Sequence, residues 1–288
     1  YQFSRYLAAG NEAIHSVARE PGGSLWIGVQ GFGVRRLDPR SGTVRSYPMG
    51  FLRDRGRTVT HIEITRDRRV FATTNALPGL LQLSSAGQFI AVRLPDKADP
   101  RGNTIEEAPD GALWYCSDDG LFIFTNGSWR RYTKEDGLLD NAIQGVEFGP
   151  RGQIWLSYQY PFGITRAVRD GDSLRFEHFG VQHGIPSLQV NFTKYDSEGN
   201  LWVGTDRGLG VFDGTYWTQY RRGDGPIWDD CDTDAFAAEP GGAVWIGTSG
   251  GLSRFKPAQH KVNLGPPSSV LTRVKLGWAS FDPAYPAK

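Results

Sequence analysis

Six polar residues recur at one position of an internal repeat, eleven residues before an aromatic residue that marks each copy. Side chains of these types donate and accept hydrogen bonds, and a histidine and an aspartate among them could also move protons. Two residues further on, the same segments are mostly apolar, so the polar position faces a different environment. We expect these residues to line the mouth of a central channel and to bind either a ligand or only water. They are His15, Thr60, Asn103, Gln144, Asn191 and Asp234.

A second group of candidates lies in the segments that precede these positions. Loops on a rigid scaffold are where binding residues collect. Trp228 stands beside Asp229 and Asp230, and Asn141 occupies a similar segment of another copy. An aromatic ring next to carboxylates can stack on a sugar ring while the acids accept hydrogen bonds from its hydroxyl groups. The alternative interpretation is a packed loop without a ligand.

Motifs of catalysis and of cofactor binding are missing from the sequence. It contains no GxSxG, HExxH, Walker or complete GxGxxG pattern. The acidic run at residues 229–234 lacks the glycine and the distal glutamate of a calcium-binding loop. Cys116 and Cys231 stand outside any CxxC spacing, and His178 and His183 are typical of solvated loop residues. We therefore expect no cofactor, no resident metal ion and no catalytic residue.

Composition limits the class of protein. The 288 residues include 37 glycines and 17 prolines, which disfavour long helices, and 9 Trp, 11 Tyr and 16 Phe, which can build a large core. The formal net charge of +1 gives no sign of a nucleic-acid partner. No apolar run reaches the roughly 18 residues that span a bilayer.

The repeat itself predicts the fold. A turn containing glycine is followed by Leu, Ile or Val, then an aromatic anchor, as in residues 197–204 and 240–247. The anchors lie 45, 43, 41, 47 and 43 residues apart, which is the period of a four-stranded propeller blade. We predict an all-β, six-bladed β-propeller whose anchors pack between blades. The anchors are Trp26, Phe71, Trp114, Trp155, Trp202 and Trp245.

The two ends of the chain complete this prediction. Residues 1–6 are typical of a fourth strand without a blade before it, and the last unit lacks a clear fourth strand. We expect the N-terminal strand to complete the last blade and remove an open edge, although a piece cut from a longer array would give the same pattern. The propeller is assigned to residues 1–258. Residues 259–288 are assigned to a linker and the first strand of a truncated β-sandwich.

The repeats resemble two-component regulator propeller repeats. The resemblance rests on residues 132–143 through Trp155 and on residues 199–212, while Pro-Pro-Ser-Ser-Val at 266–270 resembles the start of a Tyr-Tyr-Tyr domain. It implies the periplasmic sensor region of a hybrid histidine kinase or diguanylate cyclase in the inner membrane. A small molecule or oligosaccharide would be its ligand, a homodimer its assembly, and a downstream segment its only link to the membrane.

Two other functions remain open at this stage. A propeller lyase or glycosidase would use a central-channel site with groups such as His15 and Asp234. A protein-interaction scaffold is the third hypothesis, because propellers host unrelated activities. The sequence favours the sensor, since we expect no paired carboxylates at matching registers and find no Gly-His or Trp-Asp signature of scaffold propellers.

Overall fold

The computed structural model describes residues 13–52, 58–170 and 173–256, together with two short strands beyond them. The chain divides into two compact units, Tyr1–Lys256 and Pro257–Lys288. The first unit holds six antiparallel sheets in its described residues, five with four strands and the last with three. The all-β prediction is confirmed, and six sheets fit the predicted six blades.

Within every sheet the strands follow one another in chain order. The first three sheets contain the strands β1 (Ile14–Arg19), β2 (Leu25–Val29), β3 (Gly33–Leu37) and β4 (Val44–Pro48); β5 (Val59–Ile64), β6 (Val70–Thr74), β7 (Leu80–Leu83) and β8 (Phe89–Ala91); and β9 (Gly102–Glu107), β10 (Leu113–Ser117), β11 (Gly120–Thr125) and β12 (Ser128–Tyr132).

The next three sheets continue the pattern. They contain β13 (Ile143–Phe148), β14 (Ile154–Tyr158), β15 (Ile164–Asp170) and β16 (Ser173–Phe179); β17 (Val190–Tyr195), β18 (Leu201–Thr205), β19 (Gly208–Phe212) and β20 (Trp217–Tyr220); and β21 (Cys231–Ala238), β22 (Val244–Thr248) and β23 (Gly251–Phe255). Four single-turn 3-10 helices lie in connecting loops, at Pro95–Lys97, Lys134–Asp136, Val181–His183 and Arg222–Asp224. In the described part of the chain no helix has the length and apolarity needed to cross a membrane.

Glycine allows the third strand of a sheet to start close to the fourth. Gly120 has φ +118°, and a Cβ there would lie 2.6 Å from the Tyr132 carbonyl oxygen. Gly208 has φ +119° and the same 2.6 Å approach to the Tyr220 carbonyl oxygen. A side chain is strained at such φ values, so the Gly-Leu pattern that opens the third strand is a backbone requirement.

Apolar residues from consecutive sheets pack against each other in a series of seams, each defined as the contact between one sheet and the next. Trp26 packs with Ile62 between the first and second sheets, and Phe71 packs with Ile105 between the second and third. The later seams contain Trp114, Trp155 and Trp202, all nearly fully buried. Five of the six predicted anchors therefore hold neighbouring sheets together, as the repeat predicts, whereas Trp245 is half-buried and belongs to none of these seams within the described residues.

Two predicted features fall at the chain ends. Residues 1–6, predicted to complete the last blade, lie outside the described residues. The predicted tail strand is described only at β24 (Val274–Leu276), which pairs with β25 (Ala279–Phe281).

Candidate ligand site in the channel

The first strands of five sheets converge on a cavity of about 290 Å³. We call the space between these inner strands the channel. Its wall is mainly polar: it combines acids, amides and hydroxyl groups with one lysine and one histidine. The lining residues are His61, Thr104, Glu106, Gln144, Gly145, Val146, Glu147, Trp155, Ser157, Asn191, Phe192, Thr193, Lys194 and Asp234.

The structure brings three of the six predicted register residues to this cavity. Gln144, Asn191 and Asp234 line it, from β13, β17 and β21. Thr60 and Asn103 are not among the lining residues. His15 sits on β1, away from the cavity lining, with its Nε2 3.4 Å from Gln30 Oε1. Ligand binding by these residues stays a prediction.

Several of the register residues link one sheet to the next. Thr60 Oγ1 donates to the Gly102 carbonyl oxygen at 2.8 Å. Asn103 Nδ2 donates to the Ile143 carbonyl oxygen at 2.7 Å, and Asn191 Nδ2 donates to the Cys231 carbonyl oxygen at 2.6 Å. Each acceptor belongs to the inner strand of the following sheet. The polar register thus satisfies backbone groups that the channel would otherwise leave unpaired.

The loop candidates lie apart from the channel cavity. Asn141 Oδ1 accepts a hydrogen bond from the Lys134 backbone N–H at 2.9 Å, and Asp229 Oδ1 accepts one from Arg222 at 2.6 Å. Both bonds span seven residues, so the two side chains brace equivalent loops. Asp229 also borders a separate cavity of about 700 Å³ among the loops of the fourth and fifth sheets.

The remaining two loop candidates face other neighbours. Asp230 Oδ2 accepts a hydrogen bond from Ser249 Oγ at 3.1 Å. Trp228 is 44% exposed, and the Arg222 guanidinium lies 4.5 Å from its ring centroid. Such a cation–π contact covers one face of the ring.

A second register shared by the repeats was not predicted from the sequence. Eight residues before their anchors lie Glu63, Glu106, Glu147 and Lys194, on β5, β9, β13 and β17. The expectation of no paired carboxylates at matching registers was therefore wrong. Reading the alignment one residue beyond the apolar position would have revealed them, because side chains alternate along a strand.

The glutamates of this register are partly buried. Burial, followed by the charge of the neighbouring Glu63, raises the pKa of Glu106 to about 8. Burial also raises the pKa values of Glu63 and Glu147 above the ordinary value for glutamate. Lys194 Nζ lies 3.6 Å from Glu147 Oε2, which gives that acid a cationic partner.

Glu106 has a histidine as its closest partner. His61 Nε2 lies 3.5 Å from Glu106 Oε1, and the two side chains are 29% and 32% exposed. Burial, followed by the charge of Lys194, lowers the pKa of His61 to about 4. At neutral pH the imidazole is therefore uncharged and Glu106 retains its proton, so the pair is not an ion pair.

Two polar atoms of the cavity wall have no hydrogen-bond partner in the described part of the chain. They are His61 Nδ1 and Thr193 Oγ1, both buried. A buried polar atom without a partner costs free energy that a ligand could recover. Among the same described residues, no group of three histidine, cysteine or acidic side chains is arranged to hold a metal ion.

Comparison with known proteins supports the fold. No family model matches the chain, and no curated protein sequence matches it. Among solved structures it is similar to the extracellular domain assigned to a hybrid two-component system of B. thetaiotaomicron, with a TM-score of 0.70 and 16% identity over 85% of this chain and 34% of that one. A similar domain of a one-component system from the same organism gives 0.68 and 18% over 87% and 35%.

An enzyme shares the fold as well. A catalytically inactive virginiamycin B lyase from Staphylococcus aureus, with quinupristin, gives a TM-score of 0.65 and 15% identity over 87% of this chain and 86% of the lyase. The chain spans about a third of the length of the two sensor domains. At these identities the likeness establishes the propeller-like fold. The resemblance to sensor propellers is supported at this level, while the Tyr-Tyr-Tyr domain stays a prediction.

Proposed function

We propose that this chain is an extracytoplasmic ligand-sensing module of a bacterial signal-transduction protein. The proposal is carried by one observation: a fold shared with extracellular domains of sensor systems encloses a polar cavity between its inner strands. A histidine kinase or diguanylate cyclase output would lie in another part of the protein. Its membrane link would come through a downstream segment, and a homodimer is the assembly we propose.

The ligand of this module is a small molecule or an oligosaccharide. Gln144, Asn191 and Asp234 offer hydrogen-bonding groups of the kind that hold a polar ligand in a mostly preformed cavity. A carbohydrate would also find an aromatic ring and two acids at Trp228–Asp230, on the loops. These two regions are separate, so one variant in each distinguishes them.

Thermal unfolding in the presence of a panel of sugars, oligosaccharides and small metabolites tests the proposal. A ligand at one hundred times its dissociation constant stabilises the folded state by about 2.7 kcal/mol. We expect saturable stabilisation that Gln144→Ala reduces, without any conversion of the ligand. Glu135→Gln, an exposed substitution on a loop, serves as the control. Failure of every compound to stabilise the protein would contradict a sensing role.

A propeller enzyme is the second candidate function. It is favoured by the contact between His61 and Glu106, a neutral imidazole beside a protonated acid, since acid–base catalysis needs such displaced pKa values. The pair predicted for this role, His15 and Asp234, is not brought together, because only Asp234 lines the cavity. Product formation that Glu106→Gln abolishes would favour the enzyme over the sensor.

A further inference from the structure

We propose that the channel cavity binds a small organic cation carrying a primary amine. This inference rests on the proposed sensing function and specifies its ligand class. The cavity wall contains three acids, Glu106, Glu147 and Asp234, against a single lysine.

The charges of the wall are unevenly paired. Lys194 lies 3.6 Å from Glu147 and gives that acid a cationic partner. Within the described residues, Asp234 makes no ion pair, and the basic side chain in contact with Glu106 is that of His61. Because His61 is uncharged at neutral pH, neither Glu106 nor Asp234 has a cationic side chain as its partner among the described residues. An ammonium group placed between them would supply it.

The hydrogen-bonding groups also fit an amine. A primary ammonium has three donors and no acceptor. Thr193 Oγ1 lacks a partner in the described part of the chain, and Thr193 is only 8% exposed. The amide of Asn191 uses its Nδ2 in the bond to Cys231, which leaves its Oδ1 as an acceptor. Together with a Glu106 oxygen, these groups provide three acceptors among the residues that line the cavity.

Binding of a cation would change the protonation of Glu106. The charged and titratable groups that affect this carboxyl are His61 on β5, Glu63 on β5, Glu147 on β13, Lys194 on β17 and Asp234 on β21. Since Glu106 keeps its proton up to a pKa of about 8, an arriving cation favours the ionised form and releases that proton. Affinity for a cation should therefore rise with pH between 6 and about 8.

Isothermal titration calorimetry of the full chain at pH 8.5 tests the inference. The probes are 1,4-diaminobutane, ethanolamine and agmatine, with 1,4-butanediol as an uncharged match for the diamine. We expect saturable binding of an amine and none of the diol. Binding should be about tenfold weaker for Glu106→Gln and unchanged for the exposed control Glu135→Gln, since a lost charge pair in a cavity costs about 1.4 kcal/mol or more. At pH 7, titration in two buffers of different ionisation enthalpy should show proton release in the wild type and not in Glu106→Gln.

The outcomes distinguish a failure of the cation inference from a failure of the proposed sensing function. Equal binding of diol and diamine, or amine binding that Glu106→Gln leaves unchanged, overturns the cation inference. So does the lack of saturable binding of all three amines up to about 10 mM, well above the millimolar constant of a weak site. If neutral sugars or other metabolites still stabilise the chain, the sensing function stands and only this ligand class is rejected.

Discussion

The seams between sheets and the wall of the channel are built from adjacent residues of the same strands. On β9, Ile105 is fully buried in the seam between the second and third sheets, while Glu106 beside it faces the cavity. The position of Ile105 in the repeat, nine residues before the anchor, carries an apolar or small side chain in most sheets. The next residue instead varies from alanine to glutamate to lysine, in the order Ala18, Glu63, Glu106, Glu147, Lys194 and Ala237. Of these, Glu106, Glu147 and Lys194 line the cavity.

This difference shows where the chain is free to specialise. A seam residue must fill a fixed volume between two sheets, and interiors tolerate little change in volume. A channel residue borders an open cavity, so its charge changes without disturbing packing. The contrast can be tested by substitutions that affect one region and spare the other.

The largest loss of stability is expected for an anchor that is fully buried in a seam. Trp114→Ala should destabilise the protein by about 3–5 kcal/mol, because it empties a fully buried site. Trp245→Ala, at the same register of the sixth sheet, should cost about 1–2 kcal/mol, because Trp245 is only partly buried. Denaturant unfolding of both variants provides the comparison, and equal losses would contradict the assigned role of the seams.

A smaller difference is expected from the indole N–H groups of the anchors. Trp202 Nε1 donates to Asp196 Oδ2 at 2.8 Å, whereas Trp114 Nε1 has no partner among the described residues, where Ala108 replaces the acid. Trp202→Phe should therefore cost about 1.5–3 kcal/mol more than Trp114→Phe, the value of a hydrogen bond to a charged group. Chemical denaturation of the two variants measures it. Equal costs would show that the acid contributes nothing at this position.

The channel wall should respond to pH in a way that the seams do not. The folded-state pKa of Glu106 is raised to about 8 from an ordinary 4.5, so the folded state binds the extra proton and loses stability as pH rises from about 4.5 to 8. Glu106→Gln removes this loss. After allowance for partial solvent exposure, the variant should gain about 1–3 kcal/mol over the wild type at pH 8 and nothing from this source at pH 4. Unfolding curves between pH 4 and 8 test it, and a pH-independent difference would contradict the raised pKa.

The bonds between inner strands should contribute less. Asn103→Asp replaces the donor to the Ile143 carbonyl oxygen with an acceptor and should cost about 1–2 kcal/mol at neutral pH. Asn126→Asp, in an exposed turn with φ +51°, is the matched control and should be nearly neutral. Thermal unfolding of both variants separates the two cases. A cost shared by the control would indicate a general effect of added charge.

The smallest effect is expected on the loops. Trp228→Ala removes an exposed ring and its contact with Arg222, and should cost below about 1 kcal/mol. Ligand-induced stabilisation through the channel should remain unchanged. If the variant instead abolishes stabilisation by a sugar, the ligand binds at the loops and the channel is not the sensing site.

Much of this architecture could be predicted from residue spacing. A period near 44 residues, a glycine turn before each anchor and alternating apolar positions favour four-stranded blades. The anchors at Trp26 and Phe71 pack as the repeat predicts, even though one of them is phenylalanine. These features are local, since turn and alternation depend on neighbours in sequence.

The candidate site was predicted only in part. Gln144, Asn191 and Asp234 reach the cavity, whereas Thr60 and Asn103 bond to the next sheet and Asn141 braces a loop. The sequence indicates that a side chain is polar, but whether it meets a carbonyl group or a cavity depends on the strand that lies beside it.

The sequence by itself determined the repeat, its strands and the residues that pack between sheets. The reason is that side-chain volume and the alternation of apolar and polar residues are properties of each repeat's own sequence. Only the tertiary structure decided that two glutamates and a lysine from three separate units face one cavity. The raised pKa values of Glu106 and Glu147 arise from burial and from the charge of neighbouring acids, which come together only once the sheets stand side by side.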